Sequence, residues 1–172
     1  MRRPQILTVA ALSSLAAIAA SPAQAAPRVV DVTSLTSAAV ARAHSAASPA
    51  VLVPRRLPVD ADGPIAATLV RADRRSYGIS IGAPGCNAAH ACEVAHFSAF
   101  RGLVPTGLSR VRLARGVHGF FTPTTCGATC SRPIVAFRLR GVAYYIEAVP
   151  TGRNARVQLV RLANQAILAG PR

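Results

Sequence analysis

The chain has no tryptophan and no lysine, a single methionine, and only six acidic side chains against twenty arginines. Each shortage excludes something. Without tryptophan, and with aromatic residues at 5% of the chain, no stacking platform for bases stands out, so nucleic acid is a disfavoured partner. Without lysine, every basic side chain is a guanidinium, which matches phosphate and carboxylate in pairs of hydrogen bonds. The arginines are spread along the chain and form no block of five or six, so no basic tail is present. An arginine-only, alanine-rich composition is also what a GC-rich genome writes without selection for binding, so charge by itself names no partner. No apolar run reaches membrane-spanning length. The longest, residues 6–20, is 15 residues and carries Ser13 and Ser14, short of the roughly 20 that a spanning helix needs. The first cysteine is Cys86, so nothing marks a lipid-modified N-terminus.

What the N-terminus does carry is a positive pair, Arg2 and Arg3, then that apolar run, then Ala23-Gln24-Ala25 before Ala26. This is the pattern of a secretory signal peptide over residues 1–25. The residues after Arg2-Arg3 fit a twin-arginine signal only in part, which leaves the export route open. Cleavage leaves residues 26–172, the size of one domain and enough to bury about 70% of the unfolded chain's surface. Removing Arg2 and Arg3 lowers the formal charge from +14 to +12, a single-sign surface that attracts anionic partners. Export to a secreted or periplasmic location also moves the cysteines toward disulfide bonding.

Apolar spacing then predicts elements. Val32, Leu35, Ala39, Ala43 and Ala47 recur near one face of a helix over 31–47, which Pro49 stops. Residues 51–53 read as a short extended piece, and residues 65–71 and 76–82 as strands flanking Asp73-Arg74-Arg75, with no settled register. If Arg140-Gly141 is a two-residue turn, Leu139 pairs with Val142, Phe137 with Tyr144 and Val135 with Ile146 on one wholly apolar face. Arg138 then faces Ala143 on the other side, with Ala136 against Tyr145 and Ile134 against Glu147. A one-residue slip would expose the apolar set, so the register is strongly specified. Asn154 reads as an N-cap, Leu159, Leu162, Ala163, Ala166 and Ile167 as one helical stripe, and Gly170-Pro171 as a stop. Helices near both ends with strands between them predict an α+β fold with a mainly antiparallel sheet.

The cysteines fall in two close pairs, Cys86 with Cys92 and Cys126 with Cys130, in loop-like segments. Of the three connectivities, local pairing is favoured, and each small ring would contribute roughly 2 to 2.5 kcal/mol. Crossed pairing would instead staple the two loops together.

Residues 85–92 (Gly-Cys-Asn-Ala-Ala-His-Ala-Cys), residues 116–130 with their Phe-Thr-Pro-x-x-Cys-Gly-x-x-Cys stretch, and the helix ending Leu162-Ala163-Asn164-Gln165-Ala166-Ile167 resemble a family of uncharacterised secreted bacterial proteins. The resemblance spans about residues 77–167. It implies an exported, cysteine-paired domain in which the motif precedes a hairpin with tyrosine on its second strand, as Tyr144 and Tyr145 stand here. It brings no activity, cofactor or catalytic residue.

Three catalytic patterns compete with a purely structural reading. Gly78-Ile79-Ser80-Ile81-Gly82 matches the G-x-S-x-G elbow of serine hydrolases. Ser80 nevertheless sits inside a strand pattern, Pro84 and Gly85 follow where a helix should start, and a triad would need Glu93 with His118 or with His96. Cys86, His90, Cys92 and His96 have zinc-like spacing, but oxidised sulfurs cannot ligate as thiolates and two histidines are too few. Cys126 and Cys130 are separated by three residues, not the two of thioredoxin-like sites. No cofactor site is expected. The arginines carry the stronger expectation: Arg71, Arg74 and Arg75 crowd one turn, Arg110 and Arg112 share one side of a short strand, and Arg138 and Arg140 lie on the outer side of the hairpin. These seven are the candidate anion-binding residues. The sequence thus predicts a binding or structural component of the cell envelope or extracellular space that contacts anionic polymers or acidic ligands, with a small serine hydrolase using Ser80 as the alternative.

Overall fold

The computed structural model describes residues 27–46, 48–86 and 91–172; the expected signal segment, Ala47 and His90 lie outside the described residues. In chain order the elements are β1 (Arg28–Asp31), α1 (Val32–Leu35), α2 (Ser37–Ser45), β2 (Arg56–Val59), β3 (Ala66–Asp73), β4 (Ser76–Gly82), β5 (Glu93–Arg101) and β6 (Ser109–Arg112). A one-turn 3-10 helix (Ala114–Gly116) follows, then β7 (His118–Thr122), β8 (Thr125–Cys126), β9 (Cys130–Ser131), β10 (Ile134–Leu139), β11 (Val142–Ala148) and α3 (Ala155–Ala169). This is the expected α+β fold.

The β10–β11 hairpin has the expected register at all its pairs, from Leu139 against Val142 to Ile134 against Glu147. Its turn uses positive φ at both Arg140 and Gly141, the conformation that matches the twist of the strands it joins. Around this hairpin an antiparallel sheet of seven strands assembles in the order β3-β4-β5-β11-β10-β7-β6. The register that the sequence left open between β3 and β4 places Ala72 opposite Tyr77 and Ala66 opposite Gly82, with a bulge between Leu69 and Arg71.

One face of the sheet forms the core. Tyr77, Ile79 and Ile81 of β4, Ala95, Phe97 and Ala99 of β5, Val135 and Phe137 of β10, and Tyr144 and Ile146 of β11 are buried against Leu159, Leu162, Ala163, Ala166 and Ile167 of α3. These five α3 positions are the predicted stripe, and Asn154 caps the helix by accepting from the Val157 amide at 3.1 Å. Residues 51–53, expected as an extended piece, are buried and lie outside regular structure. Two tyrosines hold that stretch: the Tyr77 hydroxyl accepts from the Leu52 amide at 3.0 Å and the Tyr144 hydroxyl donates to the Ala50 carbonyl at 3.1 Å. Burial pushes both phenols above the usual tyrosine range, most strongly Tyr77.

Elsewhere the chain departs from expectation. The helix predicted over 31–47 is two helices, because residues 28–31 are drawn into pairing with β2 and Thr36 interrupts the turn. Thr36 is fully buried and its hydroxyl donates back to the Val32 carbonyl at 2.8 Å, the local bond by which threonine competes with a continuous helix. Strands β5 and β7 were not foreseen. The 102–108 connection carries the chain across the sheet from β5 to β6, and a Cβ at Gly107 would come within 2.7 Å of Phe120 Cβ. It therefore runs along the face opposite the helices. Among the described residues no helix is long and apolar enough to cross a membrane.

Candidate anion-binding surface

The sheet register gathers the arginines that the sequence scatters. On the face opposite the helices, Ser76 stands against Phe100, Phe100 against Ala143, and Ala143 against Arg138. At the far edge Arg112 stands against His118, one residue on from the Gly119–Phe137 pair, so Arg138 and Arg112 are level with each other. The adjacent row runs from Arg71 opposite Gly78 through Ser98, Tyr145, Ala136 and Phe120 to Arg110. Arg74, Arg75 and Arg140 sit in the turns at this same end. All seven predicted arginines thus lie along one end of the sheet, a rim that spans six interstrand gaps, about 29 Å.

Two concavities punctuate the rim. At the β3–β4 turn, Arg71, Arg74, Arg75 and Arg101 line a cleft with Phe100 and Leu103. Arg101 Nε donates to the Arg74 carbonyl at 3.1 Å, and the Arg71 guanidinium lies 5.8 Å from the centre of the Phe100 ring. The one acid there, Asp73, turns its oxygens into its own loop and keeps its charge beside Arg71. Its Oδ2 accepts from the Ser76 hydroxyl and its Oδ1 from the Arg75 and Ser76 amides, at 2.7 to 2.8 Å, and these bonds, the Ser76 hydroxyl foremost, hold its carboxyl below the ordinary range. At the opposite edge, Arg110, Arg112, Arg156 and Arg161 line a groove of about 640 Å³ between β6 and α3. Arg156 Nη2 donates to the Arg110 carbonyl at 2.9 Å, and Asn164 Oδ1 accepts from the Ala114 amide at 2.6 Å, which pins the helix beside the strand. Arg138 and Arg140, both exposed, stand between the two concavities on the central hairpin.

Arg101, Arg156 and Arg161 were missed from sequence. Arg101 ends an unforeseen strand, whereas the two helix arginines flank the stripe that was used to find α3 and were legible as its solvent side. Among the arginines of the described residues only Arg132 forms an ion pair with a carboxylate, that of Glu93. None of the rim arginines is in ion-pair contact with a carboxylate, and Asp73 beside Arg71 is the one acid at this end.

The two glutamates of the sheet lie toward its other end. Glu93 is 4% exposed, accepts from Arg132 through Oε2, and binds His96 Nδ1 through Oε1 at 2.8 Å. Arg132 also donates to the Glu93 carbonyl at 2.8 Å. Burial works to raise the Glu93 carboxyl, but the bonds to His96 and Arg132, with the Ser80 hydroxyl close by, outweigh it and hold the group at about 2. Glu147 sits opposite His96 on β11.

Ser80 lies directly across from His96 on the neighbouring strand, so the register brings together the serine, histidine and acid of the hydrolase alternative. Their orientation is not that of a proton relay. The Ser80 hydroxyl is enclosed, supports the Glu93 carboxylate electrostatically, and has no partner at full hydrogen-bond geometry. The His96 ring instead rests over Gly78, where an added Cβ would stand 3.3 Å from Nε2. His118, the other candidate base, is seven residues along the strand direction from Glu93, about 24 Å. Both cysteine pairs are local disulfides, Cys86–Cys92 and Cys126–Cys130, so these four sulfurs are not thiolates. The first closes the loop between β4 and β5, and the second the exposed β8–β9 ribbon.

Comparison of the chain with protein-family models, with characterised proteins and with solved structures finds no match.

Proposed function

We propose that this chain is an exported, disulfide-stabilised domain that binds anionic polymers or acidic ligands of the cell envelope or extracellular space along its arginine rim. The observation that carries this reading is the register: it aligns Arg71, Arg110, Arg112 and Arg138 in two adjacent rows on one face, with Asp73 the one carboxylate at that end. Guanidinium groups spaced across about 29 Å suit a repeating anion better than a single small one. Such binding should fall steeply as salt is raised, because each contact releases a condensed counterion. Polyphosphate titrated at about 0.05 and 0.3 M salt should show that fall, and replacing Arg71, Arg112 and Arg138 together by Gln should reduce the logarithmic salt slope by about three. Equal affinity and slope in the triple variant, with unchanged circular dichroism, would sink the reading.

One observation favours a second reading, a serine hydrolase: Ser80, His96 and Glu93 occupy neighbouring strands with His96 Nδ1 already held by the acid. It requires the ring to leave Gly78 and the Ser80 hydroxyl to become accessible. Ser80→Ala should then abolish hydrolysis of simple esters, and undiminished hydrolysis removes the reading.

A further inference from the structure

The groove between β6 and α3 differs from the rest of the rim in having an apolar floor. Val111, Val157, Val160 and Leu168 line it together with the four arginines. Val157 is 50% and Leu168 58% exposed, although they belong to a helix whose opposite stripe is fully buried. The floor follows α3 over the eleven steps from Val157 to Leu168, about 17 Å. Its volume, about 640 Å³, falls within the roughly 300 to 1,000 Å³ of small-molecule sites. The two amide side chains that reach it are committed to backbone amides, Asn164 to Ala114 and Gln165 to Arg56. No carboxylate lines it. The cleft at Arg71, Arg74, Arg75 and Arg101 has only Phe100 and Leu103 as apolar lining and no helical stripe beside it.

We infer that this groove takes an anionic amphiphile: the guanidinium groups of Arg110, Arg112, Arg156 and Arg161 hold a phosphate or carboxylate head, and an alkyl or acyl chain lies on the apolar floor along α3. A wholly hydrophilic polymer would use the charges and leave the floor wet. An amphiphile uses both. The inference rests on the rim being an anion-binding surface and specifies the ligand class at one part of it.

The test is calorimetric titration of the intact, disulfide-bonded protein with n-alkyl phosphates of increasing chain length, each below its micelle-forming concentration, with polyphosphate titrated in parallel. Affinity should rise about two- to fourfold for each added methylene until the floor is covered. Val157→Gln combined with Leu168→Gln alters two exposed positions that the core does not use and adds no charge; this variant should lose the chain-length dependence and keep its polyphosphate affinity. Affinity independent of chain length in the unmodified protein would overturn the inference, as would chain-length dependence that survives in the double variant. Chain-length dependence without polyphosphate binding would support the amphiphile site while removing the polymer reading of the rim.

Discussion

Replacing Glu93 by Gln tests the polar cluster that closes the end of the sheet opposite the arginine rim. The substitution keeps the side chain's shape but removes the Glu93 carboxylate that pairs with Arg132, which is itself 8% exposed. Breaking one member of a buried ion pair costs about 3 to 5 kcal/mol. The Gln oxygen can still accept one bond, and the residue-93 carbonyl still accepts from Arg132 at 2.8 Å, so the expected loss is about 2 to 3 kcal/mol at neutral pH. With a urea dependence of about 1 to 3 kcal/mol per molar, the midpoint should fall by roughly 1 M or more. Acid supplies the control. The partners of Glu93 hold its carboxyl at about 2 in the folded chain against an ordinary 4.5, a depressed folded value. Its contribution is therefore fully present above the unfolded value and is lost as pH falls through 4.5 toward 2. The gap between the two proteins, measured by urea unfolding with disulfides intact, should shrink by more than half on going to about pH 3. A gap below about 0.5 kcal/mol at neutral pH, or one that stays constant into acid, would refute the assignment of Glu93 as the charge that holds Arg132.

Three further outcomes follow from local geometry. Gly82→Ala would drive a Cβ into the Cys92 carbonyl oxygen and to 2.9 Å from the Glu93 Cα, so it should destabilise by about 1 to 3 kcal/mol; an unchanged melting temperature would contradict that contact. Arg140→Asn should stabilise by about 0.5 to 1 kcal/mol in urea melts, since Arg140 holds φ +50° in the hairpin turn and asparagine tolerates that region better; a loss of stability would count against the turn. Cys126→Ala with Cys130→Ala should cost roughly 2 kcal/mol yet leave polyphosphate affinity unaltered, because that ribbon is exposed and stands outside the core and the rim. A fall in affinity would place the ribbon in the binding surface.

The parts of the fold that were legible in the sequence are those where buried and exposed side chains contrast at one period. The β10–β11 hairpin alternates cleanly around a two-residue turn, and α3 carries a single stripe from Leu159 to Ile167 with a cap at Asn154. Strand β5 hid itself because Ala95, Phe97 and Ala99 on one side alternate with Ser98 and Phe100 on the other, and both faces are largely covered. Period-two contrast is lost when both faces are buried. The N-terminal helix looks continuous in sequence because the spacing from Val32 to Ala47 is helical and no breaker interrupts it, whereas the Thr36 hydroxyl bond to Val32 marks the end of the first helix. The candidate surface was half legible. The residue types were readable as arginines in turns and on strand sides, but their alignment depends on β11 pairing with β5 and β10 with β7, which are long-range choices that no local spacing encodes. The cluster of Glu93, His96 and Arg132 likewise joins residues as far as 39 positions apart.

The seven-stranded sheet leaves two strands without a neighbour on one side, and neither invites one. On β3 the bulge at Val70 breaks the even spacing that a second chain would need to match. On β6 only four residues are extended, and the Arg110 carbonyl is engaged by Arg156. Interrupted or very short outer strands are how β-proteins escape edge-to-edge aggregation. A molecule crowded by its own charge onto a polyanion would meet other copies at high local density, and this architecture lets it stay dispersed there without forming fibrous stacks.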